Sequence, residues 1–281
     1  MLKVHKTKDA YNMEYTELYP KVDVYTGLLP DADELYRIMK QSETDADGRF
    51  YLRKWDQWSV FGTYTLPKDS DLEPREFGKR CDEEKYLSDR VYEAYKSAID
   101  DYVARHNIEL PEGSHLMTSS FSKYNDQIDH LDNDLTMQYH TDFIICEKDM
   151  PGDKFFLTCT TYINDDYDGG DICFYMDGKF INHKPKAGDI LIFPSTEPYY
   201  HGVKSITKGN KFFVRNFIVY NFNGTEEWLK NQRFYGAHRW GKIEQERVEH
   251  EMARSMLYIV DGKVVPFEKA RPDPRYKNLK K

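Results

Sequence analysis

The sequence is short of cysteine, and the four present, Cys81, Cys146, Cys159 and Cys173, form no CxxC pair. Their scatter argues against a zinc knuckle or a dithiol redox motif. With no export signal in view, it points to reduced and mostly buried thiols rather than two bridges. Long apolar runs are also missing. No stretch approaches the roughly 18 residues of a membrane span, and residues 1–19 hold no apolar segment of the signal-peptide kind. A soluble, intracellular (cytoplasmic) protein without a membrane partner is the expectation. Positive charge is in deficit as well: a formal net charge of −8 over 281 residues leaves little surface to neutralise phosphates. Nucleic acid is therefore not the expected partner. No internal repeat or low-complexity linker interrupts the chain.

Aromatic and apolar residues are plentiful. There are 22 Tyr and 16 Phe, and hydrophobic residues make up 40% of the chain, enough for a substantial ordered core. The length suits one domain with flanking additions. Residues 22–39 read as an extended stretch, a turn at Gly27 and a helix started near Asp31. A second helical pattern covers 88–105, with Val91, Tyr95, Ala98 and Val103 at helical spacing. Between them, 48–66 is irregular and carries Trp55, Trp58 and Phe61.

From about 116 to 222 the pattern changes to short β-rich runs divided by turn residues. Gly169-Gly170 precedes 171–175, Asp177-Gly178 marks a hairpin, and 185–188 leads into the apolar run 190–193. The expected fold is mainly β with flanking helices (α+β), a double-stranded β-helix or jelly roll. Residues 1–115 would then be a helical support and 116–222 the catalytic core. Residues 223–281 would be an extension with helices near Thr225 and over 242–256, a hairpin at Asp261-Gly262, and a loose tail.

Two histidines and one carboxylate form the facial ligand set of non-haem iron oxygenases, because that set leaves adjacent positions open on the metal. His140-Thr141-Asp142 lies in a run of strand formers, where alternation puts residues two apart on one face. About one HxD is expected by chance with nine histidines, so the motif alone is weak. His130-Leu131-Asp132 competes with it, but the polar stretch around it reads as a surface loop. For the distant histidine, His201 follows the run 190–193 and precedes 211–215, whereas His183 reads as an ordinary strand-end residue.

HxD, Gly169-Gly170, Pro185-x-x-Gly188 with its apolar strand, His201-x-Val203 and Gly209-x-Lys211 occur in that order. Together they resemble the 2-oxoglutarate oxygenases of the prolyl 4-hydroxylase type over about 116–222. The resemblance implies Fe(II) on His140, Asp142 and His201, with 2-oxoglutarate and O2 as co-substrates and ascorbate as an optional accessory. It assigns the distal carboxylate of 2-oxoglutarate to Lys211, ten positions after His201. Arg215, four further along the strand, could share or take over that role. Tyr162 and Tyr124 resemble tyrosines that line the co-substrate pocket.

The implied reaction is hydroxylation of an unactivated C–H bond. The first expectation for the substrate is a prolyl residue in a peptide or protein, with Trp55, Trp58, Phe61 and the aromatic-rich 193–200 region as candidates for a wall around it; the second is a free amino acid or other small metabolite. A different class, a cupin-like metal-binding module without oxygenase chemistry, has no reason to place a cation such as Lys211 behind the metal. Demethylation of nucleic acid would want a basic groove. Halogenation would want the carboxylate ligand missing, and Asp142 is present. The oligomeric state leaves no trace in the sequence.

Overall fold

The computed structural model describes residues 4–6, 12–45, 56–59, 74–117, 119–125, 134–143, 148–149 and 151–227. Beyond these it describes 255–260, 262–265, 267 and 270. In chain order the elements are β1 (Val4–Lys6), β2 (Glu14–Tyr19), β3 (Val22–Thr26), α1 (Ala32–Asp45), β4 (Asp56–Ser59), α2 (Pro74–Arg105) and β5 (His115–Leu116). They continue with β6 (Ser120–Asn125), β7 (Leu135–His140), β8 (Gly152–Tyr162), β9 (Asp168–Gly169), β10 (Ile172–Met176) and β11 (Lys179–His183). The last are β12 (Ile190–Pro194), β13 (Tyr200–Lys204), β14 (Ile206–Lys208), β15 (Asn210–Phe222), β16 (Tyr258–Val260) and β17 (Lys263–Val265).

The strands form a larger sheet in the order β1-β2-β3-β12-β8-β15-β6-β4, with β5 added to β15, and a smaller sheet in the order β11-β10-β13-β7. Along β6, β7, β8, β10, β12, β13 and β15 the chain alternates between the two sheets, with β11 returning beside β10 as a hairpin, so that β12-β8-β15-β6 faces β11-β10-β13-β7. This is the double-stranded β-helix.

Alternation along the central strands explains why both faces of the larger sheet are buried. Ile190 and Ile192 of β12, Leu157 and Cys159 of β8, and Phe212, Val214 and Ile218 of β15 share one core with Leu35, Ile38 and Met39 of α1. Leu87, Val91, Tyr95, Ala98 and Tyr102 of α2 complete it. Leu191, Phe193, Tyr162 and Phe213, one residue out of step, point between the sheets and meet Ile172, Phe174 and Val203. Each large side chain buried this way contributes about 1.5–3 kcal/mol.

The N-terminal part is not helical alone. β2 and β3 extend the larger sheet, with Leu191 opposite Val24, and β4 pairs with β6, so the sheet reaches well outside 116–222. α2 begins at Pro74 rather than near residue 88; its leading turns are charged and contain Gly78, so they lack an apolar stripe. At its other end, Arg105 and His106 bind Asp23 at 2.8 and 2.7 Å and pin α2 to β3. β16 pairs antiparallel with β17, with Gly262 between them as the hairpin expectation has it, while Asp261 lies outside the described residues. Only residues 226–227 of the helix expected near Thr225 are described, and most of 242–256 lies outside the described residues.

Candidate active site

His140 and His201 stand directly opposite each other in the pairing of β7 with β13. The two strands approach closely here because the next residue is Gly202; a Cβ on it would lie 2.7 Å from the Met137 carbonyl oxygen. The ring centroids are 4.5 Å apart. Asp142 is two residues past His140, in the bend after β7 rather than in the strand itself. Its carboxylate oxygens lie 3.7 Å from His140 Nε2 and 3.4 Å from His201 Nε2. The three groups offer ligand atoms that all fall within 4.8 Å of one another.

Neighbouring groups orient each member. His140 Nδ1 lies 2.8 Å from the Gln138 carbonyl oxygen, and His201 Nδ1 lies 3.3 Å from that of Tyr199. Donation from Nδ1–H to those oxygens leaves both Nε2 lone pairs facing Asp142. Thr158 donates a hydrogen bond to Asp142 Oδ2 at 2.7 Å, with Ser195 Oγ 2.9 Å from the same threonine oxygen. Phe143 N–H bonds the Ser195 carbonyl at 2.8 Å and fixes the loop that carries Asp142. Burial pushes His201 down to about 4 against the pull of Asp142, so the ring is neutral at ordinary pH. Burial would raise Asp142, but the His201 and His140 rings and the Arg215 charge hold it below the usual carboxylate range. Two imidazoles and an ionised carboxylate fit a divalent metal of the iron type.

A pocket with about 410 Å³ of empty space, part of it open to solvent, runs from Asp142 and His201 into the barrel. Its walls follow the rungs of β8 and β15: Thr158 opposite Phe217, Thr160 opposite Arg215, and Tyr162 opposite Phe213. Lys211 opposite Tyr124 on β6 comes next. Lys211 and Arg215 both line the cavity, as do Tyr162 and Tyr124.

Lys211 is only 1% exposed, and among the described residues no carboxylate pairs with it. Its ammonium donates to the Gly170 carbonyl and sits 4.8 Å from the Tyr162 ring centroid. Burial, then the nearby Lys184 charge, lowers it to about 7. A buried ammonium in this state wants an anion. Gly170 makes room for it: with φ +70°, a Cβ there would come within 3.3 Å of Lys211 Cδ and 2.4 Å of Ile206 Cδ1.

The chain's other candidates separate clearly. His183 ends β11, with Nε2 3.7 Å from Asp189, away from the triad. His130 and Asp132 lie outside the described residues, as do Trp55, Phe61 and Cys146. Trp58 is in β4, opposite Phe121 in the register. Cys81, Cys159 and Cys173 form no disulfide among the described residues. Glu17, Asp23 and His106 also cluster, but Arg105 already supplies the cation that Asp23 needs. Sequence reasoning missed Thr158, Thr160 and Ser195, whose hydroxyls carry no motif; the alternation Thr158-x-Thr160-x-Tyr162 beside an apolar strand was the available signal.

Residues 122–223 match the family model described as the 2OG-Fe(II) oxygenase superfamily. A prolyl 3-hydroxylase 2 from Mus musculus is 36% identical over 93 residues, covering 29% of this chain and 13% of its own length. A PKHD-type hydroxylase from Acinetobacter baylyi is 30% identical over 132 residues, 45% of this chain and 51% of the relative. The chain thus spans from about an eighth to about half the length of these curated relatives. Among solved structures, a viral collagen prolyl hydroxylase from Paramecium Bursaria Chlorella virus-1 aligns with a TM-score of 0.48 and 13% identity, over 71% of this chain and 90% of that one. The barrel of this chain, residues 122–223, thus matches the 2OG-Fe(II) oxygenase superfamily model over the stretch that carries the ordered motifs, the crossed sheets and the two-histidine, one-carboxylate cluster.

Proposed function

We propose that this protein is an Fe(II)- and 2-oxoglutarate-dependent dioxygenase that hydroxylates an unactivated C–H bond, with a prolyl residue of a peptide or protein as the substrate. The observation that carries this reading is the pairing of a metal-competent triad with a buried lysine at the far end of one cavity. His140, Asp142 and His201 would hold the iron, and Lys211 would hold the distal carboxylate of 2-oxoglutarate, whose negative charge compensates the buried ammonium. Iron bound there supplies dioxygen activation coupled to oxidative decarboxylation of 2-oxoglutarate to succinate and carbon dioxide.

The chain's own residues have defined tasks in that scheme. The backbone carbonyls of Gln138 and Tyr199 keep the two Nε2 atoms on the metal side, and Thr158 steadies the carboxylate. Ile172, Phe193 and Val203 line the cavity and exclude water from it. The prolyl assignment is supported by the hydroxylases the chain resembles, a prolyl 3-hydroxylase among them. Placement in the cytoplasm remains part of the proposal and follows from the polar composition.

The test is succinate formation by anaerobically purified protein given iron(II), 2-oxoglutarate and air, with and without proline-rich peptides. Peptide-stimulated succinate, lost in His140→Ala and His201→Ala but kept in His130→Ala, is the expected result. Stimulation by free amino acids alone would move the substrate to small metabolites. Wild-type protein that makes no succinate and binds no 2-oxoglutarate would leave a metal-binding barrel without this chemistry.

A further inference from the structure

We propose that Arg215 is a second carboxylate-binding group of the pocket, holding the keto-acid carboxylate of 2-oxoglutarate at the metal end while Lys211 holds the distal one. The inference rests on the co-substrate reading above and divides the pocket's two cations between the two ends of one dianion.

The register sets the division. Arg215 pairs with Thr160, one inward-facing rung from Thr158, which bonds the ligand Asp142. Lys211 pairs with Tyr124, two inward-facing rungs beyond Arg215. Four residues of strand separate the two Cα atoms by about 13 Å. Their charged ends also have different company. Arg215 is coupled electrostatically to Asp142 and Tyr124, and its charge is felt at His201. Lys211 is coupled to Lys184 and Asp171 and bonds the Gly170 carbonyl at the other end.

The chemistry of a keto acid calls for such a group. A carboxylate that gives one oxygen to a metal leaves the other to be satisfied, and an unpaired oxygen in an apolar wall is costly. Met137, Phe193 and Val203 line this cavity without an N–H or O–H donor, and the Thr158 hydroxyl already donates to Asp142, which leaves Thr160 and Arg215 to supply donors along this rung. A guanidinium presents planar paired donors and keeps its charge when buried, which suits it to this position better than an amine.

The test uses the full chain loaded anaerobically with Mn(II) as a redox-silent stand-in for iron. Calorimetric titration with 2-oxoglutarate is compared with 2-oxovalerate, which keeps the keto-acid end and lacks the distal carboxylate; the weaker ligand is measured by competition. Arg215→Met is expected to weaken both ligands by about 10- to 100-fold, with Arg215→Lys recovering part of the loss. Lys211→Met is expected to weaken 2-oxoglutarate by a similar factor and to leave 2-oxovalerate nearly unchanged. Unaltered 2-oxoglutarate affinity in Arg215→Met overturns the proposal. So does a loss confined to 2-oxoglutarate, which would make Arg215 a partner of Lys211 at the distal end. Mn(II) affinity is titrated first, and its loss in both Arg215 variants would make the arginine a support for Asp142 and overturn the proposal too. Wild-type protein that binds Mn(II) but neither keto acid would instead count against the co-substrate reading itself.

Discussion

On the helix-facing side of β8 and β15, Leu157, Cys159, Val214 and Ile218 share one core with the apolar residues of α1 and α2. On the barrel-facing side of the same strands, Thr158, Thr160, Tyr162, Lys211 and Arg215 line the cavity that ends at the metal triad. The two sets alternate residue by residue, so one backbone carries them 180° apart. The apolar set gains free energy on folding through burial, whereas the inward set holds an ammonium that burial destabilises until an anion arrives. Stability and chemistry are thus assigned to opposite faces, and single substitutions should be able to separate them.

Lys211→Met should show the largest separation. Removing the ammonium while keeping the side-chain length is expected to raise the 2-oxoglutarate requirement by about 100-fold, the scale of a lost charge-assisted contact. The thermal midpoint of the ligand-free protein should not fall, because the folded state depresses this lysine to about 7 and therefore disfavours its charged form. Steady-state kinetics in 2-oxoglutarate together with a melting curve checks both halves, and a large fall in midpoint with unchanged kinetics would erase the contrast. Ile192→Ala is the mirror experiment. Ile192 is fully buried in the helix-facing core, so the expected cost is about 2–5 kcal/mol in urea unfolding. The 2-oxoglutarate KM of the protein that remains folded should be unchanged.

How much of this was legible in the sequence follows the same division. The run 190–193 announces a buried strand because all four residues are apolar, whereas His140, Asp142 and His201 are legible as a metal site only through their order with Gly169-Gly170, Pro185-x-x-Gly188 and Gly209-x-Lys211, since an HxD alone arises by chance. Lys211 was found by its distance from His201 in a resembled family, and no local property of the residue marks it. The strand β2, Glu-Tyr-Thr-Glu-Leu-Tyr, is mostly half-buried and polar, so its place in the sheet depends on β3 and not on its own pattern. Asp142 was expected in a strand with His140 and sits in a bend instead. It reaches the histidines because Thr158 and the Ser195 carbonyl, both remote in sequence, hold the bend in place.

That last point yields the smallest and most selective expected effect. Thr158 has a helix-facing neighbour on either side, Leu157 and Cys159, yet its hydroxyl belongs to the metal site through the 2.7 Å bond to Asp142. Thr158→Val keeps the branched shape and removes only the oxygen. Asp142 loses a donor, and Ser195 Oγ loses its partner at 2.9 Å, a burial penalty of about 1–3 kcal/mol. Outer contacts of this kind typically tune metal affinity by about 10- to 100-fold, and with both histidines still oriented by backbone carbonyls the expectation is about tenfold. Anaerobic Fe(II) or Mn(II) titration should show that loss, while the 2-oxoglutarate KM at saturating metal stays near the wild-type value because Lys211 and Arg215 are untouched. Equal losses of metal and 2-oxoglutarate affinity would mean that the bend and the carboxylate end of the pocket move as one unit, and the division of roles along β8 and β15 would have to be redrawn.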